Sequence, residues 1–183
     1  MKSTGISLRG MIYASLLGAI TAVGAYVIIP LPPVPITLQT LFTALSGALL
    51  GGGLGALAQA VYVLLGIIGL PVFAGGKAGL GVLLGPTGGY LIGFMAGAYL
   101  IGKLIDIKKE PGFAWIVFSM ILGYAAIYLL GILQLMLVAK FTLVKALSVG
   151  LLPFLIGDAL KILAATLVTL KLRDRIRGRI GRL

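Results

Sequence analysis

An acid and a base stand three residues apart in LLPFLIGDALKILAATLVTL (151–170), a stretch that is otherwise almost entirely apolar. At that spacing Asp158 and Lys161 share one face of a helix. On insertion scales each charge costs about 2.5–3.5 kcal/mol near the centre of a membrane helix, so both must turn inward. Such a pair can do three things. Its carboxylate can accept N–H groups of a polar ligand while its ammonium meets an anion. It can pass a proton, although the span offers no second acid and the chain no His to receive one. It can also do no more than fix helix packing. Ionisable groups inside a membrane mark a functional site by default, which puts ligand binding first.

Other polar side chains can join the pair. Thr37, Gln39 and Thr40 open one apolar segment, Thr87 and Tyr90 open another, and Tyr128 and Gln134 lie in a third. Gln59 and Tyr62 fall nearer the opposite end. Each of these alone reads most simply as an interhelical hydrogen bond. The three remaining acids, Asp106, Glu110 and Asp174, sit among lysines and arginines in a loop and a tail, and read as solvated. Without Cys or His there is no disulfide, no Cys/His metal site and no triad built on either residue, so no catalytic or metal-binding group is expected. AGGKAG is not a phosphate-binding loop, because that pattern needs Gly where Pro71 stands and Ser or Thr where Ala78 stands.

These residues are held by elements written for lipid. Of the 183 residues 60% are hydrophobic and 10% charged, and the mean hydropathy is +1.18. That is the composition of an integral membrane protein. The net charge of +11 comes from basic residues at the ends and in one loop, a topology signal rather than a nucleic-acid face. Apolar runs long enough to be spans fall at about 9–29, 38–51, 54–70, 87–105, 113–138 and 147–170. The first continues to about Ile29 with no cleavage signal and reads as a retained span. The second and third are short and separated only by Gly51, Gly52 and Gly53.

Six spans with both termini cytoplasmic place Lys2, Arg9, Lys103, Lys108, Lys109, Lys171, Arg173, Arg175, Arg177, Arg179 and Arg182 inside, and Lys77, Lys140 and Lys145 outside. That bias is stronger than five spans give. The expectation is an all-α polytopic membrane protein, a single domain over 1–183 with a basic cytoplasmic tail at about 171–183 suited to anionic headgroups. A Gly-rich segment at 71–86 and the Pro-rich PLPPVPIT (30–37) then lie outside. Irregular backbone at membrane depth is tolerated where it lines a cavity, so 71–86 is expected to be a lid and wall, with the proline segment a stiffer second wall. Small residues recur every fourth position at Ala14, Gly18 and Ala22, a packing row or a docking face for another subunit, and again at Gly89, Gly93 and Gly97.

PVPITLQTLF after the first span, GLPVFAGG with GLGVLLGPTGGYLIGF between the third and fourth, and LPFLIGDALK in the sixth together resemble the BioY family, the biotin-binding S component of energy-coupling factor transporters. The likeness covers about residues 10–170. It implies a six-helix bundle in the plasma membrane of a prokaryote, capturing biotin from outside and delivering it inward with a transmembrane coupling subunit and two ATP-binding-cassette ATPase subunits. Biotin is then the transported ligand, and no cofactor is expected. The resemblance assigns Asp158 to the ureido N–H groups and Lys161 to Asp158 or to the ligand carboxylate. It gives Phe73 and Tyr90 the ring system and Gln39 an amide contact, with Thr87 and Gly76 at the site and Lys77 as an attractant in the lid. Ala14, Gly18 and Ala22 become the docking face. Rival readings are an S component for another small vitamin, an ion-coupled secondary transporter, and a structural subunit of a membrane complex.

Overall fold

Ser7 opens the first helix, its Oγ accepting the Gly10 N–H at 3.1 Å in an N-cap. The computed structural model describes residues 7–180; Lys2 and Arg182, counted above in the topology, lie outside the described residues. After α1 (Leu8–Tyr26) the Pro-rich segment is pinned by a two-residue antiparallel ladder, β1 (Ile28–Ile29) with β2 (Ile36–Thr37). Then come α2 (Gln39–Leu50), α3 (Gly52–Ile67), a short α4 (Leu80–Leu84), α5 (Gly88–Asp106), α6 (Phe113–Ala139), α7 (Leu143–Gly150) and α8 (Leu155–Ile180).

Among the described residues, four helical stretches are long and apolar enough to cross a membrane: Leu8–Tyr26, Gly88–Asp106, Phe113–Ala139 and Leu143–Ile180. α2 and α3 are apolar but only 12 and 16 residues long, which at 1.5 Å per residue is about 18 and 24 Å. Gly51 separates them with φ 88° and ψ 170°. The last apolar run, expected from 147, is broken around Leu151 and Pro153, so its long helix begins only at Leu155.

That helix also absorbs the tail. α8 continues to Ile180, and two of its arginines, Arg173 and Arg177, are used within the protein. Arg177 donates to the Ala48 and Leu49 carbonyls, each at 3.2 Å, filling acceptors that the end of α2 leaves open. It also pairs with Asp106 at the end of α5, and Arg173 reaches the same carboxylate at 3.6 Å. Asp106 is therefore paired, where the sequence suggests a solvated acid. Arg177→Met loses the cap and the ion pair together, and is expected to destabilise by about 1–3 kcal/mol. Asp106→Asn loses only a partly exposed pair, worth about 1 kcal/mol or less. Thermal melts of the two variants in one detergent check this order.

The small-residue rows close helices on each other. A Cβ on Gly93 would stand 2.9 Å from the Ile127 backbone, and one on Gly97 would stand 2.9 Å from the Gly123 carbonyl, so α5 and α6 touch backbone to backbone. The α1 row behaves alike. Ala14 is 1% exposed, a Cβ on Gly18 would stand 2.8 Å from the Ala58 carbonyl of α3, and Ala22 is half-buried beside the second core cluster. Within this chain Ala14, Gly18 and Ala22 therefore serve as a packing row. The row faces the bundle, and the outward face of α1 carries Met11, Ile12, Leu16 and Val23.

Candidate binding site

A cavity of about 70 Å³ lies where the segments 30–37 and 71–86 meet the starts of α2, α5 and α8. One water needs about 10–15 Å³, so the space as folded suits several waters. Its apolar wall is Val34, Val82, Leu91, Phe94, Ile127 and Phe154; its polar groups are Thr37, Gln39, Thr40, Lys77, Thr87, Tyr90, Tyr128 and Lys161. An enclosed apolar space with a few convergent polar groups is the usual form of a small-molecule site.

Lys161 supplies the charge. Its Nζ donates to Asp158 Oδ1 at 3.0 Å and to Thr40 Oγ1 at 3.1 Å, bridging α8 to α2. Thr40 in turn reaches Asp158 Oδ1 at 3.5 Å, and the Tyr128 hydroxyl donates to Asp158 Oδ2. The pair is buried, Asp158 at 4% and Lys161 at 8% exposure. Lys161, Thr40 and Tyr128 face the cavity, whereas Asp158 stands one side chain behind its wall. The carboxylate thus holds three cavity-facing groups in place, and the predicted pairing with Lys161 is present.

Gln39 begins a second chain. Its Oε1 accepts from Thr37 Oγ1 at 2.8 Å and its Nε2 donates to the Tyr62 hydroxyl at 2.5 Å, which donates at 3.1 Å to the Val72 carbonyl of the lid. Phe73, 1% exposed, packs edge-on to Tyr62 and against Gly66, where any side chain would collide with its ring. Tyr90 donates to the Gly150 carbonyl at 2.9 Å and sets its ring edge-on to Tyr128. Thr87 lies at the cavity just before α5. Lys77 reaches the cavity from the exposed side of the lid. Gly76 belongs to the same loop, with φ 73°, but is not part of the wall.

Two glutamines grouped with the site do other work. Gln59 joins Thr21, Thr43 and Ser46 in a buried network at 2.9–3.2 Å that ties α1, α2 and α3. Gln134 turns to the lid, not to the cavity. Part of the apolar wall was anticipated, since Phe73 and the segments that carry Val34 and Val82 line the cavity, whereas Leu91, Phe94, Ile127 and Phe154 were not singled out and look like any other core residues.

The model of the BioY family matches residues 1–178. The chain belongs to the BioY family. Among its relatives, "Biotin transporter BioY" of Thermotoga maritima is 47% identical over 166 residues, 91% of this chain and 96% of that protein. "Probable biotin transporter BioY" of Pyrococcus horikoshii is 36% identical over 178 residues, 97% of this chain and 99% of that protein. A crystal structure at 2.1 Å, of the S-component for biotin from an ECF-type ABC transporter, matches with a TM-score of 0.83 and 28% identity, over 91% of this chain and 92% of that one. Like its BioY relatives, the chain is a transport protein and not an enzyme, and it is a multi-pass protein of the plasma membrane.

Proposed function

We propose that this chain is the S component of an energy-coupling factor transporter that captures biotin. One domain over 1–183 crosses the membrane six times, with both termini cytoplasmic. It binds biotin from outside in the cavity under the lid, needs no cofactor or metal of its own, and passes the ligand inward with a coupling subunit and two ATPase subunits. The observation that carries this reading is a cavity with a buried, hydrogen-bonded cation at its polar wall, in a chain whose fold matches a biotin S-component. Charge supports the orientation. Among the described residues, Arg9, Lys103, Lys108, Lys109, Lys171, Arg173, Arg175, Arg177 and Arg179 gather away from the cavity, while Lys77, Lys140, Lys145 and the buried Lys161 lie at its end, as expected for a site opening outward.

Biotin is a flat bicyclic urea with an apolar chain ending in carboxylate. The polar groups around Gln39, Thr40, Tyr128 and Lys161 suit the urea, with Asp158 fixing three of them or accepting from the urea N–H groups after a small shift. Phe73, Tyr90 and the aliphatic wall suit the rings, Thr87 and the Gly76 loop close the site, and Lys77 suits the carboxylate at the mouth. Titration calorimetry of the purified chain with biotin tests this. The parent is expected to bind one equivalent, and Gln39→Leu, which takes the acceptor from the Thr37 hydroxyl and the donor from the Tyr62 hydroxyl, to weaken binding about tenfold. A well-folded parent that gives no binding with biotin overturns the assignment and turns the search to other vitamins.

A further inference from the structure

The lid is fastened unequally. Its first part is tied to the bundle three times: the Tyr26 hydroxyl donates to the Pro71 carbonyl, the Tyr62 hydroxyl to the Val72 carbonyl at 3.1 Å, and the Gly79 N–H to the Gly66 carbonyl at 2.7 Å. Its second part is α4. Among the described residues, the side-chain hydrogen bonds to 80–86 come from Gln134 of α6 alone, whose Nε2 donates to the Leu83 carbonyl at 2.7 Å and the Gly85 carbonyl at 2.8 Å.

The sequence around this contact is shaped to admit it. A Cβ on Gly88 would stand 2.5 Å from Gln134 Nε2, and one on Gly89 would stand 2.8 Å from Gln134 Cβ. The glycine pair of GPTGGY is thus the gap through which the amide crosses α5. Between its attachments α4 is a flap. Val82 faces the cavity, while Leu80 and Leu84 are 53% and 66% exposed on the outer side. Gly79, with φ 90°, precedes it as a hinge.

We propose that Gln134 is the latch that holds this flap closed and thereby sets how long a ligand is retained. Gln134 lies in an apolar groove beside Leu83, Leu84, Leu133 and Leu137. Lifting α4 there strands one amide and two carbonyls where water is scarce, so the closed state is strongly preferred. A ligand larger than a few waters needs the flap to move, both to enter and to leave. Gln134 acts through α4 and touches no ligand, so it is a positioning residue. The retention role rests on the biotin reading; the latch itself does not.

The chain has no Cys, so Leu84→Cys and Leu137→Cys give a unique pair of spin-label sites, 66% and 79% exposed. Distances between the labels are measured in lipid nanodiscs without ligand, for the parent, for Gln134→Leu, and for Gln134→Asn, which keeps the amide but shortens its reach. One narrow distribution is expected for the parent and an added longer component for both variants. Radiolabelled biotin is then expected to leave the variants about tenfold faster, and to enter them faster as well, because both steps need the flap to open. Unchanged distances in both variants overturn the latch whatever the ligand proves to be. Longer distances with unchanged dissociation overturn the retention role. Absence of biotin binding by the parent overturns the ligand assignment, and the distances then decide the latch alone.

Discussion

Asp158→Asn is expected to abolish tight biotin binding and to destabilise the fold by about 3–5 kcal/mol, the cost of leaving a buried charge without its partner. Lys161, 8% exposed, would face a neutral amide and Thr40 with no compensating charge, and Tyr128 would lose its carboxylate acceptor. A stability loss alone does not separate a ligand site from a packing device. The double variant Asp158→Leu/Lys161→Met does. Removing both charges while keeping volume is often neutral or even stabilising by about 1–4 kcal/mol, so its melt is expected to return to or above that of the parent. Binding is expected to stay lost, because the cavity then has no buried cation at its polar wall and no ordered Tyr128. Melting curves and biotin calorimetry on the three proteins decide the matter; parental affinity in the double variant would make the pair a packing device.

That pair was legible in the sequence because lipid leaves a charge so few places to go. That residues of 71–86 line the cavity was legible for a related reason, since a glycine-rich break between apolar runs is tolerated at membrane depth where it is buried or lines a cavity. What sequence could not give is rotation. Gln39, Gln59 and Gln134 are one residue type in similar apolar surroundings, yet one lines the cavity, one ties three helices and one fastens the lid. The side of a helix that each occupies depends on its neighbours, and a short span leaves that open. The Ala14–Gly18 row was ambiguous in the same way, because small residues four apart look alike whether they meet a helix of the same chain or another subunit. Asp158 adds a subtler case. The sequence located the acid but not its distance from the wall, which is set by Tyr128 and Thr40 arriving from α6 and α2.

Substitutions in Gly51-Gly52-Gly53 are expected to give three different results from three identical residues. Gly51 has φ 88° and ψ 170°, a conformation nearly closed to residues with a Cβ, so Gly51→Ala is expected to destabilise by about 1–3 kcal/mol. Gly52 is fixed by space. A Cβ there would stand 2.8 Å from the Tyr99 carbonyl and 2.9 Å from Lys103 Cγ, and Gly102 of α5 lies directly against the Gly52 backbone. A carbonyl inside a helix cannot yield, so Gly52→Val is expected to cost about 3 kcal/mol. Gly53 is helical, exposed and has nothing within 4 Å of where a Cβ would go. Gly53→Ala is therefore expected to stabilise by about 0.5–1 kcal/mol. Thermal or denaturant unfolding of the three variants in one detergent makes the comparison. Equal losses at Gly51 and Gly53 would show a flexible joint between α2 and α3, whereas opposite signs would show a rigid corner, against which Arg177 and Asp106 hold the end of the bundle away from the cavity.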